Sequence, residues 1–317
     1  MRLLTWHFAL AFVITGCAST ETLQTASKSV VHSSAAKTVS TASMTERRSF
    51  QSALLNEDVT YHVYLPQSYG MDTDSAYPVL YWLHGSAGYP PGILEMLASR
   101  FHSAMQDGRM PPTIVVFPDG FARTMWANAA DGSRPVEDMV VRELVPHIDA
   151  SFRTRPIASG RLLEGASMGG YGAARLGFLY PHLFGAISMI NPGPMQQVLD
   201  PENAPLAGPQ RAQATLDTVF GGDAENFERR SPWTLAATFA KQECLQTRIR
   251  MILGSSDPIT PANLKFSRRL TELGIDHEVE LVAAGHNPRA MIASLGGNYW
   301  NFFAPVTKDR PGQISEC

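Results

Sequence analysis

Short apolar runs recur along this chain, separated by stretches with helical spacing. Pro78-Val79-Leu80-Tyr81-Trp82-Leu83 and Thr113-Ile114-Val115-Val116-Phe117 hold almost no polar position. Runs of that length without alternation predict strands buried on both faces. Leu162-Leu163, residues 185–190, residues 248–253 and residues 277–282 predict further strands. Residues 94–105, 171–180, 264–273 and 290–303 carry the periodicity of helices, and Val136, Val140, Leu144 and Ile148 fall on one helical stripe. Near the start, residues 50–55 and 59–65 flank Asn56-Glu57-Asp58 and predict a hairpin.

Alternation of strand and helix on this scale predicts an α/β fold, with a doubly wound, mainly parallel sheet and an antiparallel N-terminal hairpin. Residues 192–241 break the rhythm. They are rich in Pro and Gly without a clear strand, which predicts a cap-like insertion or part of a cleft. The folded domain is expected over residues 46–306, followed by a tail over 307–317.

The N-terminus has a different character. Met1-Arg2 precedes an apolar stretch from Leu3 to Ile14 that is broken only by Thr5 and His7, and Thr15-Gly16-Cys17 follows. Residues 1–17 therefore read as an export signal, too short to span a bilayer. Ile14-Thr15-Gly16-Cys17 resembles a bacterial lipobox, which implies cleavage before Cys17 and lipid on its thiol. Ala18 follows the cysteine in place of Asp, a pattern that implies outer-membrane sorting in Gram-negative cells. Residues 18–45 are rich in Ser, Thr and Ala and lack aromatic residues, so they read as a flexible tether. Two thiols then remain, Cys244 and Cys317. They read either as a pair that an oxidising compartment can join or as one buried thiol and one free tail thiol.

Composition narrows the function classes. The chain has 317 residues, 44% of them hydrophobic and 17% charged, enough for a full core. A net charge of −3 gives no electrostatic case for nucleic acid. No metal, nucleotide or other cofactor pattern such as HExxH, a P-loop or GxGxxG occurs.

One pentapeptide carries chemistry. Gly165-Ala166-Ser167-Met168-Gly169 lies between a predicted strand and a predicted helix, the context in which a G-x-S-x-G serine is held out on a sharp turn. Attack by such a hydroxyl on a carbonyl carbon needs a base and a group that orients the base. Asp257 follows the strand over 248–253, and His286 follows the strand over 277–282, both in glycine-containing loops. Taken singly, each also reads as an ordinary turn residue. Together they give the chain order Ser, Asp, His at three strand ends. His62, His102, His147 and His277 lie inside or at the start of elements, and Asp276 precedes a strand, which places it at the opposite sheet edge. Backbone N–H groups of Met168 and Ser86 are the expected donors to a developing oxyanion. His84 reads as a loop-bonding histidine. Trp126, Asn128 and Trp233 are candidate pocket residues. Glu164, a carboxylate at a strand end just before the turn, has no evident role; it could bond a neighbouring loop, pair with Arg161 or tune the site.

Four motifs together resemble a known group: Tyr77 to Gly85 (YPVLYWLHG), Glu143 to Asp149 (ELVPHID), Gly165 to Gly172 (GASMGGYG) and Phe220 to Asp223 (FGGD). They are similar to those of the esterase D, enterochelin esterase and feruloyl or acetylxylan esterase group of α/β hydrolases. The likeness runs from about Arg47 to Phe303. It implies the α/β-hydrolase fold and a cofactor-free serine carboxylesterase acting on small-molecule or carbohydrate-linked esters, with acetyl and feruloyl esters as examples. An acyltransferase of the same fold and a non-catalytic envelope-binding lipoprotein remain as alternatives. With the N-terminal signal, the expected setting is export and lipid anchoring in the cell envelope, with no other membrane contact.

Overall fold

Eight strands form one sheet in the computed structural model of the protein, which describes residues 44–242 and 246–304. Cys17, the tether up to residue 43, Cys244, Cys317 and the tail over 307–317 lie outside the described residues. The strands are β1 (Glu46–Ser52), β2 (Glu57–Tyr64), β3 (Val79–Leu83), β4 (Ile114–Pro118), β5 (Arg161–Ala166), β6 (Ala186–Ile190), β7 (Arg248–Gly254) and β8 (Glu278–Val282). Their spatial order is β1-β2-β4-β3-β5-β6-β7-β8. The β1–β2 and β2–β4 pairs are antiparallel, and all the others are parallel.

The apolar runs occupy the centre of this sheet because both of its faces are covered. Every residue of β3, β4, β5 and β6 is buried. Alternate residues serve opposite faces. Val79, Tyr81, Leu83, Val116, Leu163 and Met189 join one apolar cluster, and Leu80, Trp82, Phe117, Leu162 and Ile190 join the other. Burying one such side chain contributes about 1.5–3 kcal/mol. The second face is covered by α1 (Ile93–Gln106) and by two short C-terminal helices, α9 (Pro288–Leu295) and α10 (Asn298–Asn301). The first is covered by α2 (Val136–Asp138) running through a π-helical Met139–Leu144 into α3 (Val145–Ser151), then by α4 (Met168–Leu179), α5 (Pro209–Phe220), α6 (Ala224–Arg230), α7 (Pro232–Phe239) and α8 (Thr260–Glu272).

Several boundaries differ from the sequence expectation for physical reasons. The hairpin turn is Ala53 to Asn56, with Ser52 paired to Glu57. Glu143 fixes it there by accepting from Ser52 Oγ at 2.5 Å, Ala53 N at 2.9 Å and Leu54 N at 3.0 Å. The predicted helix over 290–303 is two helices, because Gly296 adopts φ 53° and turns the chain between them. The insertion over 192–241 divides in two. Phe220, Phe227, Ala236 and Phe239 are buried in the main core, while residues between Gly193 and Thr215 reach the cavity beside Ser167. Its second half is therefore core helix.

Glu164 lies neither beside a loop nor against Arg161, which pairs with Asp149 at 2.5 Å. It is fully buried on β5. Its Oε1 accepts from Ser188 Oγ at 2.7 Å and from Arg250 at 3.2 Å, and its Oε2 accepts from the Tyr299 hydroxyl. Arg250 also donates to the Tyr299 carbonyl at 2.8 Å and lies 4.4 Å from the Phe302 ring centroid. This network joins β5, β6 and β7 to α10. Burial pushes the Glu164 carboxyl above its usual range, and Arg250, Tyr299 and Ser188 offset part of that rise. Removing the carboxylate would strand a buried guanidinium. Glu164→Ala is expected to lower unfolding free energy by about 3–5 kcal/mol in urea titration, and Glu164→Gln by less. A loss below about 1 kcal/mol for the alanine variant would refute the network's structural role.

Candidate active site

All the loops that could carry chemistry leave the parallel strands at one edge of the sheet. His84 follows β3, Asp119 follows β4, Ser167 follows β5, Asn191 follows β6, Asp257 follows β7 and His286 follows β8. In an open parallel sheet this carboxyl edge is where ligands bind.

Ser167 stands between β5 and α4 with φ 58° and ψ −120°, a region that a non-glycine residue enters only when its surroundings force it. Its N–H donates to the Ile190 carbonyl at 2.9 Å, and its carbonyl accepts from Tyr171 N at 3.0 Å and Gly193 N at 3.2 Å. The flanking glycines let helix and strand approach. A Cβ on Gly169 would stand 2.0 Å from the Leu83 carbonyl oxygen, and one on Gly165 would stand 2.4 Å from Gly169. The G-x-S-x-G spacing is thus a packing requirement of this turn.

His286 and Asp257 come to the same point. His286 Nε2 lies 3.0 Å from Ser167 Oγ, and His286 Nδ1 lies 2.6 Å from Asp257 Oδ2. The Asp257 side chain is fully buried, and its other oxygen accepts from Ile259 N at 3.1 Å. A carboxylate fixed in this way selects the imidazole tautomer with the proton on Nδ1 and leaves Nε2 free to accept from the serine.

The loop after β3 closes the site from the other side. Gly85 to Gly88 form a tight turn, with Gly88 N donating to the Gly85 carbonyl at 3.1 Å. His84 is buried and holds this loop. Gly120 N donates to its Nε2 at 3.0 Å, so its Nδ1 carries the proton and donates to the Gly85 carbonyl at 2.7 Å. The Tyr89 hydroxyl donates to the Trp82 carbonyl at 2.7 Å and packs edge-on against His84. Ser86 and Met168 line one cavity of about 170 Å³ together with Ser167. Neither backbone N–H has an acceptor among the described residues.

The pocket candidates need correction. Trp126 is fully buried and does not line the cavity. Its indole N–H donates to the His84 carbonyl at 3.2 Å, and its ring packs against His84. Asn128 also lies off the cavity; its Oδ1 accepts from Asp138 N at 3.1 Å at the start of the helical segment. Trp233 lines an adjoining cavity and donates to the carbonyl of Met195, itself a wall residue of the Ser167 cavity, at 2.5 Å. The walls beside Ser167 are instead Met125, Met195, Leu199, Pro205, Ala212 and Ile259, with Arg123 and Arg211.

Sequence reasoning also missed Asn191. It is fully buried with φ 42°. Its Oδ1 accepts from Gly254 N at 3.0 Å, its Nδ2 reaches the Gly285 carbonyl at 3.5 Å, and its own N–H donates to the Ile252 carbonyl at 2.8 Å. One side chain therefore spans the ends of the strands that deliver Asp257 and His286. The only signal for it in the chain is a polar residue closing an apolar strand before proline.

A serine hydroxyl, an imidazole and a buried carboxylate in hydrogen-bonded series on this sheet define a serine hydrolase type of site. The family model described as "Putative esterase" matches residues 52–301, and the chain belongs to this esterase family. Esterase Rv1288 of Mycobacterium tuberculosis is 27% identical over 267 residues, covering 75% of this chain and 54% of that protein. The chain thus spans about half the length of that relative. A ferulic acid esterase structure superposes with a TM-score of 0.67 at 19% identity, covering 83% of this chain and 97% of its own. S-formylglutathione hydrolase FrmB from Staphylococcus aureus gives a TM-score of 0.64 at 16% identity, covering 82% and 98%. These likenesses establish the α/β-hydrolase fold.

Asn191→Ala leaves the buried Gly254 N–H without its acceptor. It is expected to cost about 1–3 kcal/mol in unfolding free energy. Ester turnover should fall mainly through kcat, because the Asp257 and His286 loops lose a common anchor. Unchanged stability and kcat would contradict this role.

Proposed function

We propose that the protein is a serine carboxylesterase, and the observation that carries the proposal is the unbroken series Ser167 Oγ, His286 Nε2, His286 Nδ1, Asp257 Oδ2. Ser167 attacks the ester carbonyl while His286 takes its proton. His286 then returns that proton to the leaving alcohol, and an acyl group stays on Ser167 Oγ. A water deprotonated by His286 releases the acid and restores the serine. Asp257 keeps the imidazole oriented and stabilises its charged form. The N–H groups of Ser86 and Met168 receive the charge that develops on the carbonyl oxygen, and losing one such donor costs about 100- to 1000-fold in kcat.

The apolar walls beside Ser167 suit an acyl chain or ring, and the ferulic acid esterase likeness favours acetyl or feruloyl esters of carbohydrates as substrates. Passing the acyl group to a sugar in place of water is the second reading, favoured by the adjoining cavity, where Trp233 stands among polar side chains such as Gln197, Asp200 and Lys265. Product analysis of an ester incubated with an acceptor sugar separates the two. The N-terminal sequence adds a proposal on location: Cys17 carries lipid and holds the enzyme in the cell envelope.

A fluorophosphonate probe is expected to label one residue, Ser167, and labelling should vanish in Ser167→Ala while the fold, read by circular dichroism, persists. Labelling retained in that variant, or found on another serine, would sink the assignment. Asp257→Asn should keep Ser167 in place and lower kcat about 10⁴-fold; a loss under tenfold would remove Asp257 from the mechanism.

A further inference from the structure

The cavity beside Ser167 is charged with one sign only. Arg123, in the loop after β4, and Arg211, in the first turn of α5, both line it, and no Asp or Glu does. Both side chains are exposed. Neither has a carboxylate partner among the described residues, whereas the buried arginines of the domain do: Arg161 with Asp149, Arg175 with Glu137 and Arg250 with Glu164.

Neither position is one where an unpaired cation is indifferent. Arg211 is the third residue of α5, where a positive charge opposes the helix dipole, and that first turn contains no acidic residue. Arg123 has φ 61° in a loop where Phe121, Met125 and Trp126 are also left-handed. Such backbone persists only where its surroundings hold it. Here Thr124 Oγ1 donates to the Gly120 carbonyl at 2.6 Å, Phe121 N donates to Asp119 at 2.9 Å, and Arg134 lies 4.0 Å from the Phe121 ring centroid. A constrained loop thus presents Arg123 to the same space as Ser167. The adjoining cavity has a different character, with Asp200 and Glu202 as well as Lys265.

We propose that Arg123 and Arg211 select esters whose acyl chain ends in an anionic group, a carboxylate being the simplest. The proposal rests on the esterase reading of Ser167 and departs from the acetyl and feruloyl examples, whose acyl groups carry no terminal anion. The acyl side is assigned because Ser167, Ser86 and Met168 share the arginine-lined cavity, so the group bearing the attacked carbonyl enters there. The two carboxylates next door would repel a second anion, which leaves that side to an uncharged alcohol. Two exposed guanidinium groups act mainly through screened attraction, so selectivity is modest and depends on salt.

The test compares mono-p-nitrophenyl adipate with p-nitrophenyl hexanoate, two acyl chains of equal length that differ in a terminal carboxylate. The adipate ester is expected to have a kcat/KM about tenfold higher at low ionic strength, from two exposed ion pairs. That ratio should fall towards about one in Arg123→Gln/Arg211→Gln, recover in part in Arg123→Lys/Arg211→Lys, and shrink as salt is added. Absence of an adipate preference, or a preference that survives the double glutamine substitution, overturns the anion site and leaves the esterase reading standing. If neither ester turns over, the esterase reading fails, and calorimetry of monomethyl adipate and methyl hexanoate with the unmodified protein decides the site. Tighter adipate binding that is lost in the double glutamine variant sustains it, and equal binding overturns it.

Discussion

Ser167 occupies a backbone conformation that its own side chain disfavours, and the rest of the site depends on its being held there. A non-glycine residue at φ 58° and ψ −120° costs on the order of 1–3 kcal/mol. The cost is offset by packing that leaves no room for an alternative. The α4 backbone at Gly169 sits against the Leu83 carbonyl, and the Ser167 peptide groups are bonded to Ile190, Tyr171 and Gly193. Relaxing Ser167 would require α4 to lift from β3 and β5. The turn holds the hydroxyl at the sheet edge and leaves the first N–H of α4 without an acceptor among the described residues, so the proposed nucleophile and the proposed charge acceptor arise from one local geometry.

The proposed base and its carboxylate arrive from further along the chain, on loops tied to each other where Ser255 N donates to the Val282 carbonyl at 2.8 Å and Ser256 N to the Ala284 carbonyl at 3.0 Å. Their placement comes from cross-braces. Asn191 bridges the ends of β7 and β8, and on the other side of the site His84 bridges the loops after β3 and β4. Beneath them the Glu164–Arg250 network joins three central strands to the C-terminal helices. Polar groups are thus used inside the fold where two loops or two layers must keep a fixed separation. Held in this way, Ser167, His286 and Asp257 need no reorganisation to meet.

The central strands were legible in the chain because burial on both faces leaves an uninterrupted apolar run. The edges were less so. Four of the five residues of β8 escape full burial, and β1 is mostly polar, so neither carries that mark. Ser167, Asp257 and His286 were legible because each sits just past a readable strand in a glycine loop. Trp126 and Asn128 misled for a common reason: large or polar residues near a sheet edge serve loop architecture as readily as ligands. Glu164 and Asn191 could not be interpreted from sequence, since their partners Tyr299 and Gly254 lie 135 and 63 positions away. The FGGD motif forms the turn between α5 and α6, where Asp223 caps α6. A motif can therefore mark a family without touching its chemistry.

The central claim is that a carbonyl attacked by Ser167 delivers its charge to the N–H groups of Ser86 and Met168 while His286 stays within reach of the serine. A crystal structure of the phosphonylated enzyme tests this most directly, because a phosphonate on the serine mimics the tetrahedral intermediate. The account predicts phosphorus on Ser167 Oγ with its unesterified oxygen about 2.7–3.1 Å from both N–H groups. A phosphonyl oxygen turned away from Ser86 and Met168, with the adduct on another residue or His286 displaced from Ser167, would contradict it.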